Sequence, residues 1–198
     1  AGVMFTLHPV TGDESVITIE AGWGLGESVV AGKVTPDEFI IDKKTLEIKE
    51  QVINHKTYAI FFDPRRGSNI HLKWDDGKQA WIDEDGNSVD LDIVKTIHPD
   101  KPSLNENEVK RLAELAVLIE KHYGRHMDIE WAVDADLPFP ANVFIVQARP
   151  ETVWSVKKAK GEVKAEEAKT VSLTQAKILA RGLPASPGIG AGVAKVIF

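Results

Sequence analysis

Two strand-like segments, MDIEW (residues 127–131) and VFIVQARP (residues 143–150), stand either side of a loop that contains two prolines. In an extended strand alternate side chains share a face, so Asp128 and Glu130 point one way while Met127, Ile129 and Trp131 point the other. The same alternation in the second segment puts Val143, Ile145, Gln147 and Arg149 on one face and Phe144, Val146 and Ala148 on the opposite one. If the two segments pair, Glu130, Gln147 and Arg149 converge. A carboxylate and an amide oxygen are hard donors suited to Mg²⁺, which keeps few protein ligands and fills its octahedron with water and phosphate oxygens. Arg149 then faces the same phosphates as a fixed cation. The competing reading is an exposed cross-strand ion pair, the commoner fate of Glu and Arg on neighbouring strands.

The wording of these segments carries more than their periodicity. GRHMDIEW followed by VFIVQARPETVW resembles the end of the nucleotide-binding domain in the phosphoenolpyruvate synthase and pyruvate phosphate dikinase family, to which rifampicin phosphotransferases also belong. Those are ATP-grasp enzymes. The resemblance implies that Glu130 and Gln147 bind the nucleotide-bound metal, Mg²⁺, with ATP as the nucleotide. It also implies that Arg149 contacts the phosphates being transferred and is the catalytic residue of this chain. His126 stands where relatives typically have Pro, a change that leaves these ligands intact and makes the preceding turn less rigid.

Working outward, EAGWGLGESVVAGKVTPDEF carries glycines at 22, 24, 26 and 32. It lacks the Lys-Ser/Thr ending of a P-loop and the glycine spacing of a dinucleotide fingerprint. Its glycines permit a tight turn into a short helix near Gly26, with Glu27 in the first turn favoured by the helix dipole. The string is similar to the family's WGLGE segment, nearer to the synthase branch than to the dikinase branch, and on that likeness Glu27 is a neighbour of the nucleotide.

The remainder reads as α+β. GVMFTLH and VITIEA are apolar strands at residues 2–8 and 16–21. DEFIID, LEIKEQVIN, KTYAIFF, NIHLKWDD, QAWIDEDG and SVDLDIV read as further strands between turn signals such as DPRRG and DDGK. WIDEDGNSVDLD lacks the ligand spacing of an EF-hand loop and reads as a solvated hairpin turn. His55, His71 and His98 occur singly, without metal-ligand spacing. The segment from Ser103 to Gly124 is a helix with Asn105 as N-cap, Leu112, Leu115, Ala116 and Ile119 at helical spacing, and Gly124 at its end. With no regular βαβ alternation, the pattern is that of a partial ATP-grasp domain: a mainly antiparallel sheet and one long helix, followed by a linker and the first strand of a swivelling domain.

Residues 1–154 are assigned to the C-terminal part of the ATP-grasp domain. Residues 155–180, rich in Lys, Glu and Ala, form a charged linker. Residues 181–198, within the tail ILARGLPASPGIGAGVAKVIF (residues 178–198), resemble the start of the family's phosphohistidine domain. The chain stops before that domain's histidine motif, so none of the six histidines takes that role. Ala1 lies directly before an apolar strand with no initiator Met, the expectation for a piece of a longer polypeptide. The partners implied by the resemblance are the missing amino-terminal ATP-grasp half, the phosphohistidine domain and, through absent domains, pyruvate. Apolar surface left where the missing half packs favours a homo-oligomer.

Composition bounds these readings. The 198 residues are 43% hydrophobic and 27% charged, enough for one moderate core or a domain with an appendage. No apolar run approaches the roughly 18 residues of a membrane span, and the start lacks the plan of a signal peptide. With no cysteine there is no disulfide framework or thiol nucleophile, and the cytoplasm is the default location. A net charge of -6 argues against nucleic acid as a partner. The activity implied by resemblance is ATP-dependent phosphorylation of a carrier histidine, leading from pyruvate to phosphoenolpyruvate with release of AMP and phosphate. A related transfer to rifampicin or a phenol, as in phenylphosphate synthase, and a non-catalytic assembly module are the alternatives. The Lys, Arg and phosphate loop of the family's other half have no counterpart here, so the chain alone is expected to be inert.

Overall fold

The computed structural model describes residues 1–154, so the readings on 155–180 and 181–198 lie outside the described residues. Nine strands and three helices follow in the order β1 (Gly2–Phe5), β2 (Val16–Ala21), α1 (Glu27–Val30), β3 (Asp37–Asp42), β4 (Ile48–Val52), β5 (Tyr58–Asp63), β6 (Ser68–Asp75), β7 (Ala80–Ile82), α2 (Asp92–Thr96), α3 (Glu106–Tyr123), β8 (Met127–Val133) and β9 (Val143–Pro150) among those residues. The strands form a six-stranded sheet, β4-β3-β2-β1-β8-β9, and a three-stranded sheet, β5-β6-β7. Every neighbouring pair is antiparallel, as an α+β reading requires.

Period-two alternation decides which face of the large sheet is covered. Met4, Ile17, Ile19, Phe39, Ile41, Met127, Ile129 and Trp131 are almost fully buried and pack on Val109, Leu112, Ala113 and Ala116 of α3. The helix begins where the sequence places it. Asn105 Oδ1 accepts the N–H of Glu108 at 3.1 Å and Glu108 Oε2 accepts the N–H of Asn105 at 3.0 Å, a reciprocal capping box. Gly124 ends it in the left-handed conformation. The helix is amphipathic, and no helix among the described residues is long and apolar enough to cross a membrane.

One expected strand is a helix. SVDLDIV was readable as alternating, yet only Ser88 reaches a bridge, to Ile82, and residues 92–96 form α2. The spacing of Leu91, Val94 and Ile97 explains the outcome: three residues apart, all three pack into the core of the small sheet with Leu72 and Trp81. Packing decides between two periods where the sequence supports both.

Two features join the sheets. The first is the glycine-rich segment after β2. Gly24 has φ +75° and forms a bridge to Ile60 of β5, and a Cβ there would stand 2.1 Å from the Ile60 carbonyl oxygen. Leu25 N–H donates to the same oxygen at 2.7 Å, so this segment works as a joint, and only glycine fits at its centre. The second is a buried ion pair. Asp37 Oδ1 accepts from Lys56 Nζ at 2.6 Å and from the N–H of Asn54 at 3.0 Å. Asp37 Oδ2 accepts from the N–H and hydroxyl of Ser103 at 2.8 and 2.7 Å. Both ionic side chains are 0% exposed. Burial pulls the Lys56 ammonium pKa down, and the Asp37 carboxylate opposes it.

Removing one member of such a pair leaves an uncompensated charge inside the protein. Lys56→Ala is expected to cost about 3–5 kcal/mol, read as a shift of the urea unfolding midpoint. Lys49→Ala, which breaks the solvent-facing pair with Asp42, should leave the midpoint nearly unmoved.

Candidate functional site

β8 and β9 pair as the sequence reading requires, with Glu130 opposite Gln147 and Asp128 opposite Arg149. Directly opposed residues share a face, so these four side chains project together from the side of the sheet that α3 does not cover. The pairing is interrupted once. Trp131 lies opposite Ile145, not Val146, so Val146 is an extra residue in β9 and is 65% exposed.

That bulge corrects the sequence-based division of faces. Val143 and Ile145 pack toward the core, and so does Ala148. Strict alternation would have put Val143 and Ile145 with Gln147 and Arg149. The extra residue shifts the phase, so an apolar half of the strand serves the core and a polar half serves the open face. The convergence of Glu130, Gln147 and Arg149 stands for this reason, and a straight strand would have exposed Ile145 beside them.

Glu130 and Gln147 make no side-chain hydrogen bond or ion pair among the described residues, which leaves a carboxylate and an amide oxygen with free lone pairs at adjacent positions. Arg149 is occupied. Its Nε and Nη2 approach Asp128 Oδ2 at 2.9 and 2.8 Å, while the guanidinium side chain stays 61% exposed. Asp128 is the residue that sequence reasoning passed over. Its signal was present, since it shares the face of Glu130, but its role emerges only from the register that sets it across from Arg149.

The open face continues beyond β8. Val3 separates Glu130 from Glu20, and Glu20 lies opposite Glu38. Burial pushes the Glu20 carboxyl above its ordinary value, with Glu38 and Asp128 adding to the effect. Burial raises Glu38 too, aided by Glu50 and opposed by His8. The row therefore presents crowded negative charge that a bound cation would relieve. Among the described residues no group of three His, Cys, Asp or Glu side chains is arranged to hold a metal ion. A divalent cation at Glu130 and Gln147 would draw its other ligands from water or from a bound anion, the habit of Mg²⁺.

Glu27 lies in the first turn of α1, and its carboxylate is 3.9 Å from Lys33 Nζ. No hydrogen bond or ion pair joins it to Glu130, Gln147 or Arg149 among the described residues. A shallow groove elsewhere, between α3 and the β8–β9 connection, is lined by Asn107, Lys110, Arg111, Glu114, Phe139 and Pro140 and shares nothing with the row. The candidate site is an open sheet face.

Comparison with known proteins identifies the family. The family described as pyruvate phosphate dikinase, AMP/ATP-binding domain, matches residues 1–170. A probable phosphoenolpyruvate synthase of Staphylothermus marinus is 70% identical across 100% of this chain, which covers 24% of that protein. The phosphoenolpyruvate synthase of Aeropyrum pernix is 48% identical over 99% of the chain and 24% of its own length. That of Escherichia coli is 41% identical over 100% of the chain and 22% of its own length. The chain thus spans about a quarter of the length of the curated relatives it matches.

The crowded row has a signature in pH. The folded Glu20 carboxyl holds its proton more tightly than the unfolded one, so its ionisation costs stability as pH rises through the window above 4.5, and that cost is absent below it. Glu20→Gln is expected to be more stable than the parent at pH 7, with the difference closing on acidification toward 4.5 in urea unfolding series. A difference independent of pH would remove the electrostatic account of the row.

Proposed function

Because the chain belongs to the family of the pyruvate phosphate dikinase AMP/ATP-binding domain, we propose that its open sheet face is the metal-and-phosphate wall of an ATP site. The observation that carries this reading is the register: Glu130 opposite Gln147, with Arg149 and Asp128 one pair farther along the same face. Glu130 and Gln147 fit Mg²⁺ by donor chemistry, and they are the residues that would hold it. Such an ion, when bound, would neutralise phosphate charge and orient the phosphate chain.

Arg149 supplies the second part. Its guanidinium is exposed, and Asp128 holds its Nε and Nη2, which leaves Nη1 and the remaining N–H groups to meet phosphate oxygens. Asp128 limits the rotamers of a long side chain, so less freedom is lost when phosphate arrives. Phosphoryl transfer needs alignment and charge neutralisation more than covalent help from the protein, and Arg149 together with a metal held by Glu130 and Gln147 would supply part of both. Glu27 would neighbour the nucleotide, a reading that rests on likeness of sequence alone.

The relatives named as phosphoenolpyruvate synthases support a finer reading: ATP-dependent phosphorylation of a histidine carrier, followed by transfer to pyruvate, by a longer protein of which this chain is part. In this reading ATP, a second ATP-grasp wall and a histidine-bearing domain are the partners, and the acceptor is chosen outside the described residues. Transfer to rifampicin or a phenol is the variant that differs only in that acceptor.

Calorimetric titration of the chain with Mg·ATP tests the site. Binding that needs magnesium is expected, with Glu130→Ala abolishing the magnesium dependence. Arg149→Ala should weaken binding by about tenfold to a hundredfold, the range for a lost hydrogen bond to a charged group. Binding untouched by Glu130→Ala would place the nucleotide elsewhere.

A further inference from the structure

β9, an edge strand of the large sheet, carries two of the proposed site residues. Its one neighbour among the described residues is β8, and the bulge at Val146 interrupts even that pairing. Such a strand end frays unless something holds it. A slip of one residue would turn Gln147 and Arg149 to the core face.

The chain after β9 is held in an unexpected place. Glu151 is 9% exposed, and its N–H donates to the His126 carbonyl at 2.9 Å. Its carboxylate accepts the N–H groups of Val153 and Trp154, turning the backbone into a helical turn. This turn lays the Trp154 indole on the β1–β2 connection. Trp154 Nε1 donates to the Pro9 carbonyl at 2.8 Å. The ring covers Gly12, where a Cβ would stand 2.6 Å from Trp154 Cε3 and 2.7 Å from Cδ2. Gly12 has φ +74°, a conformation that side chains rarely adopt.

The contacts close a ring. From Arg149 the chain runs through Glu151 to Trp154, across to the β1–β2 connection, into β1, and from β1 through β8 back to β9. Thr6 strengthens the far side, since its hydroxyl accepts the N–H of Met127 at 2.9 Å and its own N–H donates to the Met127 carbonyl at 3.0 Å. We infer that Trp154, seated on Gly12, is a positioning residue: it pins the free end of β9 and so keeps Gln147 and Arg149 in register with Glu130 and Asp128. The register is a statement about the fold, and its consequence for phosphate rests on the nucleotide reading above.

Amide hydrogen exchange by mass spectrometry on the 198-residue chain separates the two. Trp154→Ala is expected to raise exchange of the Gln147–Glu151 amides about tenfold or more while β2 and β3 keep theirs. Gly12→Ala should reproduce the effect from the other side of the contact, and Trp154→Phe, which keeps a ring without the indole N–H, should fall between. In Mg·ATP titrations Trp154→Ala should weaken binding, and the double variant with Arg149→Ala should lose less than the sum of the two single losses, because the two changes share the Arg149 guanidinium. Unchanged exchange in β9, or an equal rise in β2 and β3, would overturn the proposal. A chain that does not bind Mg·ATP would defeat the nucleotide reading and leave exchange to decide the role of Trp154.

Discussion

The Asp37–Lys56 pair is the constraint on which the arrangement of the two sheets depends. Asp37 begins β3 in the large sheet, Lys56 lies in the segment entering β5, and Ser103 precedes α3. One carboxylate thus fixes where the small sheet departs and where the long helix begins. Lys56 N–H also donates to the Pro99 carbonyl at 3.0 Å, so the segments entering and leaving the small sheet are tied to each other. With the helix placed, its apolar stripe covers one face of the large sheet, and the other face carries the row of carboxylates.

That division of faces gives the candidate site its character. The core side is satisfied by aliphatic packing and a single helix, while the open side gathers Glu20, Glu38, Asp128 and Glu130 with one exposed arginine. Such a face cannot enclose a ligand by itself, but it is well suited to forming one wall of a site whose opposite wall comes from elsewhere.

Much of this was legible in the residues, and the exceptions have physical reasons. Alternation in MDIEW gave the faces of β8, and Asn105 with Glu108 marked the start of α3, because both signals are local. The phase shift in β9 was not readable, since a bulge is settled by whether Ile145 and Ala148 can both reach the core opposite Trp131 and Ile129. Asp128 gained its role only through register. The buried pair joins residues far apart in sequence, and Asp37 and Lys56 each look like ordinary surface charges when read alone. α2 formed because Leu91, Val94 and Ile97 had a core to enter, where the polar residues between them allowed either period.

The place of β1 in the sheet has a consequence for how the protein comes into being. β1 is central, flanked by β2 and by β8, which follows it by more than a hundred residues. Pairings so remote in the chain close late and slow folding, because the intervening loop must be brought together first. On a ribosome adding roughly 5–20 residues per second, β1 waits on the order of ten seconds for its second neighbour. Through that interval one edge of the nascent sheet is open to other chains, and the face that carries Glu130, Gln147 and Arg149 takes shape only when β8 and β9 seal that edge.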